Sequence, residues 1–410
     1  MARCAIRARE RLLAVPRAAQ LIPEEAAAAP CPELPTWLAE PPVAGLHLDL
    51  AAMRLALRLL EERQRGGQGR WALYLPTIPS SFPSILWDEI AQRRCLAGTP
   101  AEAHVARRFE RRAAEYELLR RCRGSGSKAR VAEGPLLRWA VHAVGSRSYE
   151  FRKRATPGSN TAGATGADTR PSAIMVPFAD LFNDGLSANA EWRWHPTTQA
   201  FEVTATEDVP VGSELQISYG EKPSEQLLTH YGFVHPAGNA RDATFVELLE
   251  PEASALGPPD ARLALSWDAP ATAARLPRSL AALRRLQARA ATVEAAEMAS
   301  LATLRRRCSE VATQWGAALG SSPTAAVQLA QLDDGSVAAC DGYRGGLSAL
   351  AGACAQFAAA ALAEVPAAGS SGPIAGEVQE PGLPTPSAAV VGPSAQLVTA
   401  LLAAWREDAA

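Results

Sequence analysis

The chain has 410 residues, a formal net charge of −2 and 20% charged residues. That length allows two or three domains with a substantial core. So even a charge balance sets up no strong field for nucleic acid or an anionic membrane. No unbroken apolar run reaches about 18 residues, the length a membrane span needs. Nearly all the positive charge is Arg, the lysines being Lys128, Lys153 and Lys222. Arginine pairs such as Arg107-Arg108 and Arg111-Arg112 read as solvated helix faces. The seven cysteines (4, 31, 95, 122, 308, 340, 354) are scattered, odd in number and form no Cys-x-x-Cys pair. That spacing argues for a reducing compartment and against structural zinc.

In chain order, the first twenty residues are rich in Arg and poor in acid, a transit-peptide composition. Leu46, Leu50, Met53, Leu57 and Leu60 recur at spacings of four and three, which predicts an amphipathic helix over 46–64 ended by Arg65-Gly66-Gly67. The aromatics of Trp71-Ala-Leu-Tyr74-Leu-Pro-Thr-Ile-Pro79 and of Leu86-Trp87 read as core packing, and 100–122 as a further helix. Residues 153–171 hold Gly, Ser, Thr and Ala with few apolar side chains, the composition of a surface loop. The period then changes. Trp192 and Trp194 alternate with Glu191 and Arg193, and Phe201, Val203 and Ala205 with Glu202 and Thr204, across a turn at 195–200. This predicts a β-hairpin. A turn at 209–212 and a third strand over 215–219 come next, then a short helix with Ser224 as its N-cap. From about 258 the pattern is helical, with Leu280, Leu283 and Leu286 on one face, a helix over 290–318 reaching Trp315, and Ala-rich helix over 324–362. Residues 365–395 are rich in Pro, Gly and Ser and expected to be disordered, with a short closing helix at 395–406.

His142, His195, His230 and His235 lack metal-ligand spacing and read as core or surface residues. Gly212, Gly220 and Gly232 read as turn glycines. The Gly-rich stretches 66–69 and 123–127 come after helices and charged runs rather than a strand, which disfavours a Rossmann-type nucleotide site.

Four fragments stand in order: Ser146-Arg147-Ser-Tyr149, Asp180-Leu-Phe-Asn183-Asp184, Glu214-Leu-Gln-Ile-Ser-Tyr219-Gly220 and Tyr231-Gly-Phe233-Val234. Together they resemble the SET-domain protein methyltransferases of the Rubisco large-subunit methyltransferase-like family. The resemblance implies an α+β fold: a β-rich SET core with a helical insert, followed by a mostly α-helical C-terminal domain. It divides the chain into 1–45 as the N-terminal part of the SET core, 46–130 as the insert and 131–250 as the part bearing the catalytic motifs. Residues 258–365 would be the substrate-binding domain and 366–410 a mostly disordered tail. Residues 9–23 resemble the family's second strand and the segment after it, which displaces the transit-peptide reading. The family's preceding Gly-x-Gly strand has no counterpart here.

By the same resemblance Tyr231 and Tyr219 are the catalytic tyrosines. Arg147, Asp180 and Tyr219 contact substrate. Ser146, Arg147, Asn183, Asp184, Tyr231 and Phe233 hold S-adenosyl-L-methionine, and there is no metal. Position 184 departs from the family, being Asp where the family has His. The implied activity is methyl transfer to a lysine of a non-histone protein, Rubisco large subunit or fructose-bisphosphate aldolase being examples. Histidine methylation, and a non-catalytic interaction protein that has lost its cofactor, are the alternatives. The expected setting is a monomer in chloroplast or cytoplasm, acting on a protein substrate without nucleic acid or membrane.

Overall fold

The computed structural model describes residues 1–410 apart from 24–30, 32, 41–42, 84–85, 87, 123–133, 152–172, 196, 237, 249–261, 287–291, 318–332, 366–390 and 410. The loop expected over 153–171, Trp87, the Gly-rich 123–127 and most of the tail lie outside the described residues. The first elements are β1 (Arg11–Val15), α1 (Leu34–Leu38), α2 (Leu50–Arg65), α3 (Glu89–Cys95), α4 (Glu102–Arg121) and α5 (Pro135–Arg147). Six short strands come next: β2 (Ser148–Glu150), β3 (Ala173–Met175), β4 (Asn183–Asp184), β5 (Ala190–His195), β6 (Ala200–Ala205) and β7 (Gln216–Ile217). Then come α6 (Ser224–Tyr231), β8 (Ala243–Glu247), β9 (Arg262–Ser266) and α7 (Ala269–Ala273). The chain closes with α8 (Leu276–Leu286), α9 (Val293–Gly316), α10 (Asp334–Glu364) and α11 (Val391–Ala409). It divides into two compact units, Met1–Phe82 with Ala106–Glu221, and Pro83–Val105 with Lys222–Ala410.

In the first unit β1, β6 and β5 form an antiparallel sheet, with Trp194 opposite Phe201 and Trp192 opposite Val203. The predicted hairpin is therefore present, in the register its alternation requires. Phe201 and Val203 are fully buried; Trp192 stacks on Phe201 with centroids 5.2 Å apart, and Tyr149 closes on Phe201 at 4.5 Å. Beside this lies a second apolar cluster, where α2 and α5 pack through Met53, Leu57, Leu60, Leu137 and Ala140. The predicted first helix begins later than its apolar spacing suggests. Asp49 accepts from the Ala51 and Ala52 amides at 2.8 and 3.2 Å, so it is the N-cap, and His47 with φ +50° cannot continue a helix from Leu46. Its end is as predicted: Gly66 takes φ +55°. The arginine pairs on α4 are not uniformly solvated. Arg107 and Arg111 are exposed, whereas Arg108 and Arg112 are half-buried and bear electrostatically on His142. The expected strand over 215–219 contracts to Gln216–Ile217, paired in parallel with Asn183–Asp184.

In the second unit, the chain after 258 does not turn helical at once. β9 pairs antiparallel with β8, burying Leu263 and Leu265 against Val246, before the helices begin at Ala269. A helix reading of Ala- and Leu-rich residues missed a short period-2 segment. α10 packs against α9 and α11. By length and composition it could cross a bilayer, although no unbroken apolar run signals it. It is instead a core helix: Leu347, Leu350, Phe357 and the buried Arg344 line it, and the Arg344 guanidinium donates to the carbonyls of Ala97 (3.0 Å) and Gln314 (2.7 Å). The closing helix is longer than expected, running over 391–409 with Leu397, Leu401 and Trp405 buried.

Candidate active site

Six of the eight predicted site residues fall in the first unit, where the end of α5, a 3-10 turn over Ala179–Leu181 and the β4·β7 pair bring them together. Arg147, the last residue of α5, donates through Nη1 to the Asp180 carbonyl at 3.0 Å and to its carboxylate at 2.9 Å. Tyr74 donates its hydroxyl to the same carboxylate oxygen at 2.9 Å. Tyr149 donates to the Ala179 carbonyl at 2.7 Å, and Tyr219 to the Phe182 carbonyl at 2.9 Å. Three side chains from three segments thus pin the carbonyls of 179, 180 and 182. A backbone turn held this way keeps its geometry without reorganising, which is what a preorganised site requires.

The turn is also strained: Phe178, its N-cap, has φ +69°. A bulky residue in the left-handed region persists only where its surroundings hold it there. Phe178 and Leu181 are half-exposed apolar residues on this turn, at 50% and 49%.

Asp180 is turned into the fold, its side chain fully buried. Burial raises its pKa, and the hydrogen bond and charge of Arg147 oppose that rise. One carboxylate oxygen, Oδ1, has no partner, and neither has the buried Nε of Arg147. Buried polar atoms are seldom left so, and the two are complementary to an ammonium and a carboxylate respectively.

Asn183 is exposed and donates its amide to Glu214 at 2.6 Å. Asp184 accepts from the Tyr219 backbone amide at 2.7 Å. The departure from His at 184 therefore has a structural use: the carboxylate ties β4 to the end of the strand that carries Tyr219. Burial pushes the Tyr219 phenol up to about 12, and the nearby Asp184 charge adds to this. Tyr219 stays a neutral hydroxyl at physiological pH. Ser146 donates its hydroxyl back to the His142 carbonyl at 2.8 Å, within its own helix.

The other two site residues, Tyr231 and Phe233, belong to the second unit. Tyr231 ends α6, and Gly232 with φ +82° caps it, its amide reaching the carbonyls of Leu227 and Leu228. The Tyr231 and Phe233 rings lie 6.2 Å apart, edge to face. At the other end of α6 the expected N-cap is corrected. Ser224 is the first helical residue, and Asp242 does the capping, accepting from the Ser224 amide at 2.6 Å and its hydroxyl at 2.8 Å. A carboxylate eighteen positions downstream leaves no local signature.

Sequence reasoning also missed Tyr74, read as core packing, and Glu214. Tyr74 is buried, as expected, yet its hydroxyl serves Asp180. Both residues lie inside segments that the sequence singles out, so position was legible and contact was not. Among the described residues no cluster of His, Cys, Asp or Glu is suited to a metal.

No family model matches the chain. It is 25% identical over 215 residues to the actin-histidine N-methyltransferase of Drosophila melanogaster, covering 48% of this chain and 38% of that protein. It is 26% identical over 265 residues to the N-lysine methyltransferase SETD6 of Bos taurus, covering 62% and 55%. The chain spans about half the length of the curated relatives it matches. Among solved structures it superposes on the SET domain of LSMT bound to lysine and AdoHcy with a TM-score of 0.51 and 17% identity, over 88% of this chain and 85% of that one. Rubisco LSMT bound to AdoMet gives the same TM-score at 16% identity. The chain thus carries the SET fold, in an α+β arrangement, and its sequence relatives are SET-domain methyltransferases. The likeness to the Rubisco LSMT structures is one of fold.

Proposed function

We propose that this protein is an S-adenosylmethionine-dependent protein methyltransferase whose acceptor is a lysine side chain of a non-histone protein. The observation that carries the reading is the clamp on residues 179–182: Arg147, Tyr149 and Tyr219 hold its carbonyls, and unpaired Asp180 Oδ1 and Arg147 Nε are left beside it. Those two atoms suit a molecule that has both an ammonium and a carboxylate, as the methionine end of the cofactor has. Arg147, the backbone about Asn183 and Asp184, and Phe233 are the residues proposed to hold it. The cofactor supplies a methyl group on a positively charged sulfur.

The protein's own contribution is positioning. Tyr219 and Tyr231 orient the attacking amine and accept or donate hydrogen bonds around it, with geometry and fixed dipoles in place of a strong base. Tyr219 remains protonated, so its hydroxyl oxygen offers a neutral acceptor. The amine must arrive without its proton, and a nearby positive charge disfavours the ammonium form. Asp180, besides offering Oδ1 to the cofactor's ammonium, fixes Arg147 and the turn. Exposed Phe178 and Leu181 offer an apolar lip for the stem of a long side chain. Histidine is the second acceptor to test, because the actin-histidine methyltransferase is among the relatives.

The test is calorimetric titration of S-adenosylmethionine into the 410-residue chain, followed by labelled-methyl transfer to Rubisco large subunit, aldolase and actin. Tyr219→Phe and Tyr231→Phe should each lower kcat on the order of 10²-fold with little change in cofactor affinity. Full transfer by both folded variants would remove these roles. Absence of cofactor binding would leave a SET-fold interaction protein.

A further inference from the structure

The turn over 178–182 sorts its side chains. Ala179 is fully buried, and Phe182 packs against the core that holds Tyr149 and Phe201. Phe178 and Leu181, three positions apart and so on one side of a 3-10 turn, stand half in solvent at 50% and 49%. Leu186, just past β4, is 43% exposed as well. Phe178 carries two costs at once. Its φ of +69° lies in a region that bulky side chains avoid, and half of its surface stays in water. Glycine or asparagine would take the same backbone angle without exposing a ring. The surroundings hold the angle in place. The Val176 carbonyl receives the Ala179 and Asp180 amides at 3.2 and 3.3 Å, while Arg147, Tyr149 and Tyr219 grip the carbonyls that follow. Strain that is over-determined in this way, at a candidate active site, points to a use.

We infer that Phe178 and Leu181 dock a bulky apolar residue that neighbours the acceptor in the protein substrate. The substrate class is then a basic segment in which the methylated lysine stands beside a large aliphatic or aromatic side chain. This rests on the methyltransferase reading, which puts the acceptor at this turn. The stem of one lysine covers less apolar surface than two large half-exposed side chains present, so a second apolar group is needed to cover the patch. Charge selects the rest of the segment. Residues 176–192, which bear the patch, include Asp180, Asp184 and Glu191 and no Lys, Arg or His. Residues 209–221, joined to them through the β4·β7 pair, include Glu214 and Glu221 and again no basic side chain. Arg147, the cation that reaches the turn, is paired with Asp180. Such a surface attracts a cationic segment and repels an acidic one. The apolar neighbour adds affinity by leaving water.

The probes are short fluorescein-labelled peptides of Gly and Ser around one lysine, with both neighbours of the lysine set to Leu, Phe, Ser or Glu. Anisotropy reads their binding to the full chain, and cofactor binding is measured separately by titration of S-adenosylmethionine. The Leu and Phe peptides should bind at least about tenfold more tightly than the Ser peptide, the gain that burying one such side chain supplies. The Glu peptide should bind most weakly. Phe178→Asn, whose side chain tolerates the left-handed backbone, and Leu181→Gln should each bring the Leu-to-Ser affinity ratio toward one while S-adenosylmethionine affinity is kept. A purely structural role would instead lower the melting temperature and leave the ratio alone. Equal binding of the Leu and Ser peptides by the wild type, or a ratio that survives both substitutions, would overturn the inference. The wild-type ranking decides this even if a variant folds poorly. A dimer in light scattering that Phe178→Asn dissolves would assign the patch to a second copy of the chain and overturn it too. Cofactor binding without a neighbour preference removes the docking alone. A neighbour preference without cofactor binding keeps the docking and removes the methyl transfer.

Discussion

Acid should loosen α5 through one side chain, His142. It is 4% exposed, its Nε2 lacks a partner, and burial lowers its pKa to about 3, with Arg112, Arg108 and Arg138 adding to the effect. In the unfolded chain the same imidazole titrates near 6.5. The folded value is depressed, so the unfolded state gains a proton that the folded state does not, and stability is lost as pH falls from about 6.5 toward 3. Between pH 7 and pH 5 the difference amounts to roughly 2 kcal/mol. The consequence reaches the site, because His142 lies one turn before Ser146 and Arg147 on the same helix, and its carbonyl receives the Ser146 hydroxyl. The assay is hydrogen exchange of peptides from 135–147 across a denaturant series at pH 7 and pH 5, in wild type and in His142→Gln. Asp180, whose pKa is raised by burial, shifts stability the opposite way, being favourable at low pH and lost as pH rises through its folded value. It is common to both proteins, so the wild-type–variant difference isolates His142. A variant that loses as much protection in acid as the wild type would refute the reasoning.

Tyr74→Phe removes the 2.9 Å bond to Asp180 and leaves that carboxylate to Arg147. A cost of about 1–3 kcal/mol is expected in denaturant midpoint, with transfer slowed and cofactor affinity retained; labelled-methyl assays and urea titration read the two effects. Asp242→Ala strips the cap from α6, for about 0.5–2 kcal/mol. Faster exchange at residues 224–231 and slower transfer should result, and unchanged exchange there would mean that Asp242 does not hold the helix bearing Tyr231. Gly232→Ala places a Cβ in the left-handed region at φ +82°, costing on the order of 1 kcal/mol, read as a lower melting temperature.

Periodicity determined the elements whose stability is local. The β5·β6 hairpin comes from strict alternation of Trp192, Trp194, Phe201 and Val203 with polar residues, and α2 from its Leu–Met stripe. Motif order carried the fold class and the candidate site, because residues near a strand end or turn keep their spacing when the rest of the chain drifts. What sequence could not supply were partners separated by long stretches of chain. Asp242 capping Ser224, Tyr74 reaching Asp180 and Asp184 holding Tyr219 all depend on which elements lie side by side. The late start of α2 depended on a single backbone angle at His47. Local propensity is a property of neighbouring residues, whereas a hydrogen bond between distant ones exists only once packing has brought a donor and an acceptor within about 3 Å. The sequence therefore singled out residues 179–184 by motif order, and only tertiary structure decided what clamps the turn there.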